Sequence, residues 1–90
     1  MLYLVIEHFR GNEVEAIGER FADCGRMLPD GLAYHASWID PVGMRCYQIM
    51  EAPHEGLVTE WCRRWEDLVE FEVIAVVASA DFWNDLRRDT

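Results

Sequence analysis

Apolar residues crowd into six segments of this chain, and their spacing alternates between two periods. Residues 2–9 (Leu-Tyr-Leu-Val-Ile-Glu-His-Phe) are apolar almost to their end, as in a strand covered on both faces. Over residues 13–28 the period lengthens: Val14, Ile17, Phe21, Cys24 and Leu28 recur at steps of three and four, one stripe along one helical face. Residues 32–40 and 44–51 return to strand-like composition. Residues 53–68 carry Leu57, Trp61, Trp65 and Leu68 at helical spacing, and residues 70–78 are again nearly all apolar. This order predicts an α+β fold, a ferredoxin-like βαββαβ domain with one four-stranded sheet and both helices on one face. A short C-terminal helix follows over residues 80–88, capped by Ser79. Asp81 in its first turn and Arg87-Arg88 in its last suit the helix dipole. The chain thus reads as one domain over residues 1–90, with its core in 1–79 and a helical tail in 80–90.

The breaks between segments carry their own signals. Asn12 can cap the first helix, and Gly25 with Pro29-Asp30-Gly31 ends it. Asp40-Pro41-Val42-Gly43 suits a type I turn. With Asp40 facing Gly43, the register pairs Ser37 with Cys46, His35 with Gln48 and Ile39 with Met44. The other face then carries Tyr34 against Ile49, Ala36 against Tyr47 and Trp38 against Arg45. Pro53 suits the first position of the second helix, where its missing N–H costs nothing. Glu60 and Arg64 stand four apart, a small stabilising pair.

Hydrophobic residues make up 51% of the chain, with four tryptophans, four phenylalanines and three tyrosines. That is more apolar material than a thin sheet-and-helix layer of this size hides, so an exposed apolar face and a homodimer are expected. The formal charge is −9, from 17 acidic residues against eight arginines and no lysine. Such a chain repels phosphate backbones, which argues against nucleic acid and anionic membranes as partners. Without lysine there is no Schiff-base chemistry. Cys24, Cys46 and Cys62 show neither disulfide nor zinc-ribbon spacing. The start enters a strand directly, with no charged region before a long apolar run. A soluble cytoplasmic protein is the expectation.

Several stretches together resemble the DUF3303 family of small bacterial proteins. They are Val5-Ile6-Glu7-His8-Phe9, residues 25–32 (Gly-Arg-Met-Leu-Pro-Asp-Gly-Leu), Ser37-Trp38, Cys46-Tyr47-Gln48-Ile49-Met50-Glu51, and residues 61–72 from Trp61 through Trp65-Glu66-Asp67-Leu68. The resemblance covers residues 1–79. It implies a dimeric α+β barrel, in which two ferredoxin-like sheets face each other across a two-fold axis. It implies no catalytic residues. Ala75 departs from the family pattern, which often has proline there. On an edge strand either residue is tolerated.

The residues that could carry chemistry are few. Glu7 lies on a strand read as covered on both faces, so it must be paired or favour its neutral form. A carboxyl of that kind suits a general acid or base; the plainer alternative is an ion pair with Arg26 or Arg45, or a wet sheet end. Under the register above, His35, Ser37, Cys46 and Gln48 share one face and can orient a small polar ligand. A Cys46–His35 thiolate nucleophile needs an electropositive setting that the sequence does not supply. Trp61 and Trp65 either wall that pocket or simply fill the core, their indoles bonding Gln48 or Ser37. Tyr34, Trp38 and Tyr47 read as dimer-interface residues. Arg26 reads as a helix-end cap, with anion binding the weaker alternative. Glu70 and Glu72 form a solvated rim. His8, His35 and His54 lack metal-ligand spacing, and neither a metal nor another cofactor is expected.

The leading expectation is a small-molecule site in each protomer of a dimeric barrel. Glu7 and His35 are its catalytic candidates, and Ser37, Cys46, Gln48, Trp61 and Trp65 its binding residues. By analogy of fold alone this suits a cofactor-free oxygenase or an isomerase acting on an aromatic or carbonyl substrate. The alternative is a non-catalytic binding or assembly module acting as a homodimer with a filled core.

Overall fold

The computed structural model describes residues 1–11 and 13–88. Its elements run β1 (Leu2–Phe9), α1 (Val14–Cys24), β2 (Ala33–Asp40), β3 (Arg45–Glu51), α2 (Glu55–Arg63), β4 (Val69–Val76) and α3 (Ser79–Arg88). The strands form one sheet in the order β2-β3-β1-β4, with every neighbouring pair antiparallel. This is the ferredoxin-like α+β arrangement that the apolar pattern predicts. The capping role expected of Asn12 lies outside the described residues.

Alternation along the strands gives the sheet two different faces. Tyr3 and Val5 of β1 and Met50 of β3 turn inward and are buried with Leu32, Ala52 and α2's Val58, Trp61 and Cys62, and with Trp65. The outer face carries Leu2, Leu4 and Ile6 beside Tyr47 and Ile49, all only half-buried. Trp38 extends that face and is 62% exposed. The reading of β1 as covered on both sides therefore holds on one side only within the single chain.

The first two helices are shorter than their apolar periods suggest. Helix α1 stops at Cys24, where Gly25 turns left-handed (φ 65°) and donates its N–H to Phe21 at 2.8 Å. Met27 is left-handed as well (φ 57°), so residues 25–32 form an irregular connector rather than a last helical turn. Helix α2 begins after His54, whose extended backbone puts Pro53 outside the first helical position. Beyond Arg63 the chain tightens into turns, with Arg64 N–H bonding Trp61 and Trp65 N–H bonding Cys62 at 3.0 Å. Trp65 and Leu68 keep their buried positions on those turns. The Glu60–Arg64 pair forms at 3.3 Å. Ser79 is the first residue of α3 rather than its cap, and Phe82 N–H reaches back to Ala78.

The β2–β3 hairpin departs from the expected register for a local reason. The Asp40 carboxylate accepts N–H bonds from both Val42 and Gly43 at 3.0 Å, which holds its carboxyl below the usual range. Met44 then takes a left-handed conformation (φ 55°) and closes a four-residue loop. Asp40 thus faces Arg45, and Ser37 faces Gln48 where Cys46 was expected. A shift of two keeps each side chain on its face. The irregularity at His35, between Tyr34 and Ala36, does not: it turns Tyr34 inward opposite Met50.

Trp61 and Trp65 fix the irregular connector. Both indoles donate to one acceptor, the Arg26 carbonyl oxygen, at 2.7 and 3.1 Å. They do not bond Gln48 or Ser37. Trp61→Phe is expected to cost about 2 kcal/mol, roughly half from the lost bond and half from the space left behind. Because the two indoles share an acceptor, Trp61→Phe and Trp65→Phe together should deviate from additivity by about 0.5 kcal/mol or more. Urea unfolding of the two single variants and the double variant checks this; strictly additive losses would show that the bonds act independently.

Candidate functional site

Helix α1 contributes no fully buried residue. Ile17 only partly reaches the core, and Phe21 remains 45% exposed. What ties α1 down is Arg20, whose guanidinium forks onto Asp67 at 2.6 and 2.7 Å and bonds the Arg64 carbonyl at 3.1 Å. That pairing holds the Asp67 carboxyl below its usual range. Moored at its flank rather than packed on the sheet, α1 leaves a cavity of about 320 Å³ beneath it.

The sheet supplies the polar floor of this cavity. Glu7 of β1 lies directly across from Cys46 of β3, and Ser37 of β2 lies across from Gln48. The walls are apolar: Phe9 and Val69 from the sheet, Ile17 and Phe21 from α1, with Trp61 and Trp65 at the base of α2. Gly18 also lines the space, and a Cβ built there meets nothing within 4 Å. Six residues expected at the site are therefore brought together: Glu7, Ser37, Cys46, Gln48, Trp61 and Trp65.

His35 is not among them. The irregularity in β2 sends it outward, where its Nε2 lies 2.8 Å from Glu51 Oε1. Tyr34 takes the inward position instead, and its hydroxyl shares a 2.6 Å hydrogen bond with Ser37 Oγ. Tyr34 is accordingly removed from the outer aromatic face, which keeps Trp38 and Tyr47 as neighbours. His8 pairs with Glu72 at 2.8 Å, and Arg10 with Glu70 at 3.3 Å. The acidic rim is thus partly paired.

The residue undervalued from sequence is Arg26. Its guanidinium lies 3.6 Å from the centre of the Tyr34 ring and 5.1 Å from that of Phe21, held by cation–π attraction. It does not cap α1. Left-handed Met27 and the two indoles on the Arg26 carbonyl aim the side chain at the cavity, and no periodicity signals that.

Burial raises the pKa of Glu7 and favours its neutral form. Hydrogen bonds from Cys46 and Gln48, and the charge of Arg26, oppose the shift without cancelling it. Cys46 is pushed up to about 12 by burial and by the neighbouring Glu7. Cys62 is likewise pushed up to about 12, by burial first and then by Glu7. These thiols are not thiolates at neutral pH, so they are poor nucleophiles. The arrangement offers one carboxyl of raised proton affinity, one guanidinium and one buried amide within apolar walls. Among the described residues, no three His, Cys, Asp or Glu side chains group as metal ligands, and no helix is long and apolar enough to cross a membrane.

Fold and site together define a ferredoxin-like α+β protein with a cavity between its sheet and helices. The chain belongs to the DUF3303 family, described as a domain of unknown function, whose profile matches residues 1–87. The match reaches beyond residue 79 and takes in nearly all of α3. Comparison with curated proteins finds no match, and comparison with solved structures finds none.

The raised pKa of Glu7 makes a signed prediction. Between its unfolded and folded pKa values the folded state holds the extra proton, so stability falls as pH rises through that window. Glu7→Gln should therefore stabilise the protein at neutral pH, with the gain shrinking as pH drops toward the unfolded-state value. Urea unfolding across pH 4–8 tests this. A loss at neutral pH would show that Glu7 is stabilised as a carboxylate, and a gain independent of pH would show that folding does not shift its pKa.

Proposed function

We propose that this protein binds a small molecule in each protomer of a homodimeric α+β barrel, in the cavity between the sheet and α1, with Glu7 as its proton-exchanging group. The observation that carries this reading is the cavity itself: about 320 Å³ of mostly apolar space above Glu7, Ser37 and Gln48. Ligand pockets commonly combine such walls with a few placed polar groups. The chemistry that fits is proton transfer on an aromatic or carbonyl compound. Glu7 takes a proton from one atom and returns it to another, an isomerisation that balances without a co-reactant. His35 has no part in it. A reducing cytoplasm suits the free cysteines Cys24, Cys46 and Cys62.

The dimer is supported by the uncovered outer face. Trp38, Ile74 and the half-buried Leu4, Ile6, Tyr47 and Ile49 form a continuous apolar surface across the four strands. Phe82, Trp83 and Leu86 of α3 are also about half exposed. Large side chains of this kind bury on the order of 100 Å² or more each, and so approach the roughly 800 Å² per partner of a stable interface. These same exposed groups favour the second reading, a non-catalytic assembly module that works through its surface.

Gly18 separates the two. A mid-helix glycine costs about 0.5–1 kcal/mol relative to alanine, and here the empty space beside it belongs to the cavity. Gly18→Phe should fill that space and leave the melting temperature unchanged or higher. In a thermal-shift screen of small aromatic and carbonyl compounds, hits on the wild-type protein should vanish in Gly18→Phe. No hits, or hits indifferent to the substitution, would leave the assembly reading.

A further inference from the structure

Arg26 is the cation of the cavity wall, and among the described residues its guanidinium meets only the faces of two aromatic rings. Its guanidinium makes no hydrogen bond and no ion pair among the described residues. Two aromatic rings hold it by their faces, Tyr34 at 3.6 Å and Phe21 at 5.1 Å. Guanidinium N–H groups lie in the plane of the group, so stacking leaves them free to donate. The backbone behind the side chain is pinned by the two indole bonds to the Arg26 carbonyl. This is a preorganised cation with unspent donors beside a largely apolar space.

The carboxyl that faces the same space does not touch it. Glu7 is close enough to feel the charge of Arg26, yet forms no ion pair with it within 4 Å. Around Glu7 stand Cys46 and Gln48 of β3, Phe71 of β4, Cys62 of α2 and Arg26. Burial there favours the protonated carboxyl. When a Glu7 carboxylate takes up a proton, the positive charge of Arg26 is left to the occupant, which balances it by carrying one negative charge. Size restricts that occupant further. An apolar cavity of about 150 Å³ accepts benzene, and this one is about 320 Å³. One substituted ring or a small bicycle fits.

We infer that the cavity takes a compact aromatic alcohol, a phenol or stable enol, and binds it as the oxyanion, with the oxygen against Arg26 and its proton on Glu7. The inference rests on the reading of the cavity as a ligand site. The step balances: the ligand O–H bond breaks, a Glu7 O–H bond forms, and the electron pair stays on the ligand oxygen. No oxidant or other co-reactant is needed. Phe9, Ile17, Phe21 and Trp65 enclose the ring, which explains an anion site set among apolar walls.

The test uses 4-nitrophenol, whose anion absorbs in the visible while the neutral form does not, and 4-nitroanisole, which has the same ring and cannot ionise. Binding is read by quenching of tryptophan fluorescence, and the ionisation state of the bound phenol by its visible band. The full chain should bind 4-nitrophenol roughly tenfold or more tightly than 4-nitroanisole. The bound phenol should show the anion band at a pH where the free compound is mainly neutral. Arg26→Met, which keeps the backbone carbonyl for the two indoles, should erase both the preference and the band while its melting curve confirms folding. Arg63→Met, on the exposed side of α2, should change neither. Equal affinity for the two compounds, a bound phenol in its neutral form, or an anion band that survives Arg26→Met would overturn the inference while leaving the ligand site intact. Failure of both compounds to bind would remove the inference and count against the ligand site as well.

Discussion

One carbonyl oxygen organises this domain. Trp61 and Trp65 both spend their indole N–H groups on Arg26 O, which ties the irregular connector after α1 to the turns that end α2. Two large side chains are buried with their polar atoms satisfied, as the core requires. The connector cannot continue as helix because its backbone is committed there, with Gly25 and Met27 left-handed on either side. Helix α1 is consequently held from its end and its flank rather than by apolar packing on the sheet. The cavity follows from that arrangement.

The same constraint sets the electrostatics. It points Arg26 over Tyr34 and into the space above Glu7, so a half-buried carboxyl and a stacked guanidinium share one largely apolar cavity without a direct ion pair. Cys46 and Cys62 have thiol pKa values of about 12 beside that carboxyl, which keeps covalent thiol chemistry out of the picture. On the other side of the sheet, Trp38 is mostly exposed and its apolar neighbours are only half-buried by the described residues. The two faces thus differ: one has room beneath a helix, and the other leaves apolar side chains partly exposed.

Most of the fold was legible from the chain because β1 and β4 are short apolar runs bounded by turn residues and the two tryptophans recur at helical spacing. The placement of six candidate residues at the cavity was legible from spacing: alternation places Glu7, Cys46 and Gln48 on the inner face, a two-residue slip in the hairpin leaves Ser37 there too, and helical spacing aligns Trp61 with Trp65. His35 was misplaced because one irregularity in β2 reverses the faces before it, and no residue type marks that position. The lengths of α1 and α2 were overestimated because apolar spacing continues through Leu28 and Leu68 after helical hydrogen bonding has stopped. Arg26 was undervalued because its direction depends on bonds made by residues 35 and 39 positions away. The open volume was illegible for a similar reason, since it depends on how α1 is moored.

The most direct test of the central claim is native mass spectrometry of the protein purified gently from its own host, beside Gly18→Phe prepared the same way. The wild-type chain should be a dimer that carries a small extra mass on each protomer, and Gly18→Phe a dimer that carries none. A bare monomer in both samples would contradict the claim, since the outer face would then need no partner and the cavity would hold nothing.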